Sequence, residues 1–338
     1  MGVIDGANGT PLQIGTHNGA FHCDEVLACF MLKNLPKYKD AKIVRTRDQA
    51  KLDLCDIVVD VGGVFDVQKN RFDHHQRSFN ESFHSLHPDK KWTTKLSSAG
   101  LVYCHFGEEV LRAILGQNCP DEKTLCTVYD KVYENFVEEI DAIDNGISQY
   151  DGKAKYNITT TLSSRVSYLN PSWNDENNDE YECFQEAMRM VGKEFVERVT
   201  GLVHHWLPAR SIVLEALEKR FEVHESGKVI KLERFCPWKE HLFRLEETGF
   251  CGQGEIKYVL YADKTSQWRI QCVPTGRNTF ENRLSLLSKW RGLRDKNLSE
   301  ISGIPNCVFV HSNGFIGGNE NYEGVLKMAS ECLQQSES

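Results

Sequence analysis

Residues 56–75, DIVVDVGGVFDVQKNRFDHH, contain two predicted strands that each lead into acidic or imidazole side chains. Residues 56–61 are almost continuously apolar and β-branched, which is typical of a strand covered on both faces of a parallel sheet. Asp60 ends this strand, and Arg71-Phe72 predicts a short strand directly before Asp73-His74-His75. Because sites in open α/β sheets form at the carboxyl ends of strands, this stretch predicts both an α/β fold and a site.

The beginning of the chain repeats this arrangement. Residues 11–16 (PLQIGT) predict a strand, and His17, His22 and Asp24 follow it. Apolar residues then recur at helical spacing up to Leu35, which predicts a helix. The other elements predicted in this half are a strand at 42–47, a helix that begins at Ser97-Ser98 and a long helix at 124–144. Alternating strands and helices predict a doubly wound α/β layer.

The length and composition predict two domains in an ordinary globular protein. The chain has 338 residues and a net charge of −8, so a site for a polyanion must be a local basic patch. The polar segment 170–180 predicts a linker between domains at 1–170 and 171–338. Beyond it we expect helices over 181–221 and then strands at 229–232, 256–262, 268–273 and 307–310. The twelve scattered cysteines, the absence of a signal peptide and the absence of a long apolar run predict an intracellular protein with reduced thiols and no membrane span.

The histidines and aspartates at the strand ends predict a metal centre. Converging carboxylates and imidazoles without a cysteine cluster favour Mn²⁺ or Mg²⁺, with Zn²⁺ as an alternative. Their number exceeds one tetrahedral site, so we expect two divalent ions bridged by Asp60. Asp141 and Asp144 share a face at a helix C-terminus, where the dipole disfavours anions, but their spacing does not decide which one binds metal.

Such a centre predicts in-line hydrolysis of a phosphate ester by a two-metal mechanism. We expect His75 to contact the phosphate or to protonate the leaving oxygen. The helix start at Ser97-Ser98 would offer backbone N–H groups to phosphate oxygens. Each group alone has an ordinary explanation, such as a loop histidine for His17 or a helix N-cap for Asp60. It is their joint occurrence at strand ends that favours metal.

Seven motifs resemble the melanocyte-proliferating-gene (MYG) exonuclease family of the DHH phosphoesterase superfamily. They are THNGAFHCDE (16–25), VVDVGG (58–63), RFDHHQRSF (71–79), TKLSSAGLVY (94–103), EEIDAIDNGISQY (138–150), KWRGLRD (289–295) and VFVHSNGFIGG (308–318). The resemblance implies a parallel-sheet DHH catalytic domain, a smaller α+β substrate-binding domain after a helical connector, and a cleft between them. The implied activity is metal-dependent 3′–5′ RNA exonuclease, acting in RNA processing in the nucleus and mitochondrion in addition to the cytoplasm.

The resemblance also implies roles for individual residues. One metal ion is assigned to His17, His22 and Asp60, and the other to Asp24, Asp60, His74 and Asp144. His75 is the implied substrate-facing catalytic histidine, and Asp73 orients its neighbours. The superfamily usually has an aspartate where His22 stands, which leaves the metal open between manganese, magnesium and zinc. Asp144 is preferred because Asp144-Asn145-Gly146 resembles the superfamily's Asp-Thr-Gly turn.

The second half carries the predicted substrate grip. Six basic and two acidic residues lie between Arg277 and Lys296, with Trp290 among them, a combination that suits single-stranded RNA. A solvated charged surface is the ordinary alternative. The full set of predicted substrate-binding residues is Ser98, Arg269, Arg277, Arg291, Gly317 and Gly318, the two glycines in a loop that also includes Gly314.

Two other functions stay open at this stage. A small substrate, such as pyrophosphate or a short oligonucleotide, needs the metal pair but no basic track. A non-catalytic RNA-binding or regulatory module would need no metal ion. The sequence also leaves the oligomeric state open, a dimer included.

Overall fold

The computed structural model describes residues 11–174, 179–277 and 279–336. The chain forms two compact units, one up to Val203 and one from His204. Each contains a five-stranded mixed sheet with helices, so the protein is of the mixed α/β class. None of the helices in these described ranges has the length and apolar character needed to span a bilayer.

The first unit is built on a sheet of order β2-β1-β3-β5-β4. Its strands are β1 (Gln13–Thr16), β2 (Lys42–Arg45), β3 (Ile57–Val59), β4 (Phe65–Asp66) and β5 (Arg71–Phe72). The pairs β1–β2, β1–β3 and β3–β5 are parallel, as the β-branched run predicts, while the short edge strand β4 pairs antiparallel with β5. Parallel strands end at the same edge, which brings the residues after β1, β3 and β5 together.

Helices cover this sheet and extend the unit. They are α1 (Cys23–Asn34), α2 (Gln49–Leu52), α3 (Phe83–Leu86), α4 (Ser98–Leu115), α5 (Glu122–Val132), α6 (Glu138–Asp144), α7 (Leu162–Ser167) and α8 (Glu180–Gly201). A π-helical turn at Tyr133–Val137 joins α5 to α6, so the predicted helix 124–144 is interrupted in hydrogen bonding but not in course.

The division between the units differs from the predicted boundary near residue 170. Helix α8 packs against α1, with the rings of Phe21 and Phe184 at 5.6 Å and those of Phe30 and Phe195 at 6.2 Å. Because these aromatic side chains share one apolar core, α8 belongs with the first unit. The predicted linker 170–180 lies partly outside the described residues, since 175–178 are not among them.

The second unit has a sheet of order β6-β7-β8-β10-β9. Its strands are β6 (Val229–Lys231), β7 (Tyr258–Ala262), β8 (Trp268–Cys272), β9 (Cys307–Val310) and β10 (Ile316–Asn319), and its helices are α9 (Ala209–Glu218), α10 (Arg220–Val223), α11 (Trp238–Glu247), α12 (Asp295–Ser302) and α13 (Tyr322–Ser336). Four strands lie where the sequence predicts them. Gly317 and Gly318 were expected in a loop, but they lie in β10 between β8 and β9.

Close packing explains why glycines occupy this strand. A Cβ atom on Gly318 would lie 2.6 Å from Arg269 Nη1 and 3.2 Å from the Trp268 carbonyl oxygen. The glycines therefore allow β10 to pair on both sides. Composition alone could not show this, because paired glycines are more often found in turns.

Candidate metal centre

The ends of three parallel strands place the predicted ligands at one edge of the first sheet. His17 follows β1, Asp60 follows β3, and Asp73-His74-His75 follows β5. Asp24 lies in the first turn of α1, and Asp144 ends α6. The structure thus brings together side chains that are separated by up to 127 positions in the chain.

Asp60 lies at the centre of the cluster. Its Oδ2 is 3.2 Å from His17 Nε2, and its Oδ1 is 3.2 Å from His74 Nε2. The residue is buried and has a φ of 56°, a left-handed conformation that is uncommon outside glycine and that occurs often at functional sites. Burial by itself would raise the pKa of Asp60, but the two imidazoles outweigh it and hold the pKa below its ordinary value. One carboxylate facing two imidazoles is the geometry expected of a bridging ligand.

Asp24, His74 and Asp144 form the second half of the cluster. His74 Nε2 lies 3.1 Å from Asp144 Oδ2 and 3.8 Å from Asp24 Oδ2. These contacts lack hydrogen-bond geometry: within the described chain, both oxygens of Asp24 and both ring nitrogens of His74 are buried without a hydrogen-bond partner. Since unpartnered buried polar atoms are costly, this arrangement calls for another partner.

The charges of the cluster indicate what that partner is. Burial raises the pKa of Asp24 well above its ordinary value, and the carboxylates of Asp60 and Asp144 raise it further. Burial lowers the pKa of His17, but Asp60 and Glu25 outweigh it and raise the pKa to about 10. Carboxylates that repel one another beside imidazole nitrogens are a donor set suited to divalent cations. The residues present therefore fit a metal centre.

Among the described residues, three groups of histidine and acidic side chains have ligand atoms within 4.8 Å of one another. They are His17, His22, Glu25 and Asp60; Asp60, His74 and His75; and His22, Asp24 and Asp144. The first group contains Glu25, which the sequence analysis missed. Glu25 Oε1 is 3.0 Å from His17 Nε2, and both of its oxygens accept from the His22 backbone N–H at 2.9 Å. A glutamate three residues after a helix N-cap is a capping-box signal and could have drawn attention to it.

His75 and Asp73 form a pair at the edge of the cluster. His75 Nδ1 lies 2.8 Å from Asp73 Oδ1, and this hydrogen bond raises the pKa of the imidazole. Asp73 is buried and also accepts from the Gly63 N–H at 2.6 Å, so its position is fixed. The His75 side chain is 63% exposed, unlike the buried side chains of His17 and His74. The pair thus combines a held aspartate with an accessible imidazole.

Asp141 and Asp144 have different environments despite sharing a helix. Asp141 Oδ1 accepts from Ser97 N at 2.9 Å, Ser97 Oγ at 2.7 Å and Gly100 N at 3.0 Å, and its Oδ2 accepts from Tyr133 Oη at 2.9 Å. Asp141 therefore caps the N-terminus of α4, while Asp144 faces His74. A Cβ on Gly100 would lie 2.3 Å from Asp141 Oδ2, so only glycine admits this carboxylate.

This cap changes the roles expected at the start of α4. The helix start at Ser97-Ser98 was expected to offer backbone N–H groups to phosphate, but the N–H groups of Ser97 and Gly100 already donate to the Asp141 carboxyl group. Ser98 is fully buried, and its hydroxyl donates to the Phe72 carbonyl at 2.9 Å and to Asp60 Oδ1 at 3.3 Å. Ser98 is thus a support for Asp60 and has no surface to offer a substrate.

Two further residues hold the loop that carries His17 and His22. Asn170 exchanges two hydrogen bonds of 2.8 Å with the backbone of Phe21. Arg45 donates to the carbonyls of His17 and Gly19 at 3.2 and 2.7 Å. No local pattern could have identified Asn170, because it lies 149 positions from its partner.

The basic residues predicted to bind substrate are largely paired within the second unit. Arg269 contacts Asp263 at 2.5 Å, and Arg277 contacts Glu247 at 2.7 Å. Arg291 is exposed and donates to the Leu286 carbonyl at 3.0 Å. Trp290 is only 1% exposed, so it cannot offer the stacking surface that the sequence suggested.

Similarity to known proteins covers nearly the whole chain. The MYG1 exonuclease family model, described as Uncharacterised protein family (UPF0160), matches residues 13–333. The chain belongs to this family. The MYG1 exonuclease of Bos taurus is 56% identical over 96% of this chain and 85% of its own length. The MYG1 exonuclease of Homo sapiens is 54% identical over 96% and 86%, and a MYG1 protein of Caenorhabditis elegans is 51% identical over 96% of both chains.

Proposed function

We propose that this chain is a metal-dependent exonuclease of the DHH phosphoesterase type that degrades single-stranded RNA in the 3′–5′ direction. The observation that carries the proposal is the Asp60 carboxylate between His17 and His74, beside the unpartnered oxygens of Asp24. The exonuclease names of the mammalian relatives support the reaction class. The sequence resemblance supports RNA, the direction and a role in RNA processing in nucleus and mitochondrion.

The cluster would hold two divalent ions, with manganese preferred to magnesium or zinc. His17, His22 and Asp60 would bind one ion, with Glu25 as a further ligand, and Asp24, Asp60, His74 and Asp144 would bind the other. When bound, such a pair supplies Lewis acidity and an activated water for attack on phosphorus. Aspartate and histidine donors are common to all three metals, so the residues leave this choice to experiment.

The protein's own groups have separable tasks in this reaction. His75, which is accessible and held by Asp73, would contact the phosphate or donate a proton to the leaving oxygen. Ser98 fixes Asp60, and Asp141 fixes the start of α4 on which Ser98 lies. Arg45 and Asn170 hold the backbone between His17 and His22. These contacts fix the ligands before substrate binds, as catalysis by positioned groups requires.

The test is a manganese-titrated assay on RNA labelled at its 5′ end. We expect a ladder that shortens stepwise, and we expect Asp60→Ala and His74→Ala to lower the rate at least ~10³-fold, because the metal contributes several kcal/mol to the barrier. Asp89→Ala, at an exposed aspartate outside the cluster, is the matched control. Immediate release of the labelled nucleotide would contradict the direction, and full activity in both cluster variants would contradict the mechanism.

A second candidate is hydrolysis of small phosphates or short oligonucleotides. It is favoured by the pairing of Arg277 with Glu247 and of Arg283 with Glu246, which reduces the free positive charge available for a long strand. Turnover of pyrophosphate, a dinucleotide and a long single-stranded RNA should be compared under the same conditions. Preference for pyrophosphate would replace the first proposal by this one.

A further inference from the structure

A cavity of about 750 Å³ opens beside the metal cluster in the first unit. Its lining includes the ligand-type residues Asp24, His74 and Asp144 together with His75. Its volume lies in the range of sites for small ligands, about 300–1,000 Å³. The cavity continues past the cluster, so residues that take no part in metal binding form its other walls.

Lys95 is the one lysine or arginine in this lining. Its side chain is half-buried, and its Nζ lies 5.7 Å from the centre of the Phe79 ring. Among the residues that the structure describes, no carboxylate forms an ion pair with Lys95. Its backbone is held on both sides, by a bridge to Ser82 and by the Asn145 side-chain amide, which donates to the Lys95 carbonyl at 3.1 Å.

A lysine without a carboxylate partner in an otherwise acidic cavity indicates a site for an anionic ligand. Taking an ammonium group partly out of water is unfavourable unless a negative charge compensates it. The carboxylates in this lining, Asp24 and Asp144, belong to the metal cluster, so Lys95 remains available to an anionic ligand. A phosphate group suits an ammonium, which binds it as a point charge.

Other residues of the lining offer groups that suit the rest of a nucleotide. Ser163 and Ser167 lie four positions apart on α7 and therefore share a face, and Ser164 and Thr159 add two further hydroxyls to the lining. Tyr168 follows this helix, lines the cavity and is 76% exposed. Hydroxyl groups can form hydrogen bonds with the sugar and the base edges of a nucleotide, and an exposed aromatic ring can stack on the face of a base.

We infer that this cavity binds the terminal nucleotide of the substrate, with Lys95 paired to its phosphate and Tyr168 stacked on its base. The inference rests on the proposed function and adds to it the residues that recognise the end of the strand. It also assigns substrate binding to α7 and Lys95 of the first unit, whereas the sequence predicted the arginines and Trp290 of the second unit. The class of ligand is a nucleoside monophosphate unit.

The test is equilibrium dialysis of the manganese-loaded protein with adenosine 5′-monophosphate, adenosine and inorganic phosphate. Lys95→Met should weaken binding of the monophosphate about 10- to 100-fold and leave adenosine unchanged, because only the phosphate contact is lost. Tyr168→Ala should weaken both the monophosphate and adenosine, on the order of 10-fold. Lys95→Arg should restore most of the affinity, which a merely structural role of the aliphatic stem would not explain.

Lys193→Met, at an exposed lysine of α8, is the matched control and should bind all three ligands like the unaltered protein. Bound manganese and the thermal unfolding midpoint of Lys95→Met should also be unchanged. Unchanged affinity for the monophosphate in Lys95→Met would overturn the inference, as would equal weakening of adenosine. Inorganic phosphate binding as tightly as the monophosphate would exclude nucleotide recognition. Lys95-dependent binding without any nuclease activity would instead contradict the proposed function and leave the cavity assignment standing.

Discussion

In the second unit, the Arg283 side chain is 6% exposed and donates from its two Nη atoms to Glu246 at 2.6 and 2.7 Å. In the first unit, Asp24 is fully buried and neither of its oxygens has a hydrogen-bond partner within the described chain. Both sites place ionisable side chains largely out of contact with water. In the second unit the protein supplies the opposite charge itself. In the first unit it assembles several carboxylates around two imidazoles, a donor set that could bind a metal ion.

This difference separates buried charge that serves structure from buried charge that serves function. In an ion pair such as Arg283–Glu246, each charge is compensated by the other and needs no ligand. A cluster such as Asp24, Asp60 and His74 costs stability in the metal-free protein and gains it when a ligand completes the cluster. The two units should therefore respond in opposite ways when a charge is removed.

The largest effect on stability is expected when the Arg283–Glu246 ion pair is broken. Arg283→Ala leaves Glu246 buried without its partner and should lower the free energy of unfolding by about 3–5 kcal/mol. Arg277→Ala removes a more exposed partner of Glu247 and should cost no more than about 1 kcal/mol. Chemical denaturation of both variants measures the two values. Equal stability of Arg283→Ala and the unaltered protein would show that the pair is not a structural element.

The next largest effect on stability is expected when manganese binds the cluster of Asp24, Asp60 and His74. Manganese at 100 times its dissociation constant should raise the free energy of unfolding by about 2.7 kcal/mol, because only the folded chain presents the assembled ligands. Asp60→Ala should lose most of this gain. Thermal unfolding with and without the metal tests the idea. An equal gain in the variant would place the bound manganese elsewhere.

The smallest effect is expected in the chelator-treated protein. Asp24→Asn removes a buried carboxyl group whose ionisation is disfavoured by burial and by Asp60 and Asp144, and it should stabilise the metal-free chain by about 0.5–2 kcal/mol while abolishing the response to manganese. Asp73→Asn is the matched control and should destabilise, because Asp73 accepts from Gly63 N and from His75. Denaturant titrations in excess chelator measure both. If Asp24→Asn destabilises the metal-free protein as Asp73→Asn does, the contrast between the two kinds of buried charge fails.

Much of the first unit follows from local sequence. The parallel strands β1, β2 and β3 lie within the strands predicted at 11–16, 42–47 and 56–61, and ligand-type side chains follow β1, β3 and β5. Glycine content misled the prediction at β10, where Cβ atoms on Gly317 and Gly318 would lie 3.1 Å from the Phe309 carbonyl oxygen and 3.2 Å from the Trp268 carbonyl oxygen, respectively. Trp290 is a second case in which local sequence was insufficient. An aromatic residue among basic residues gives the same sequence pattern whether its side chain is buried or exposed.

By itself, the sequence determined the class of chemistry and the sheet edge on which it lies, because strand propensity and donor type are properties of short segments. Only the tertiary structure decided that Asp141 closes α4 while Asp144 faces His74, that Glu25 joins the cluster, and that Lys95 has no carboxylate partner in the described chain. Each of these depends on which side chains meet across long separations. Such long-range contacts are set by helix packing and strand order, which no local sequence pattern encodes.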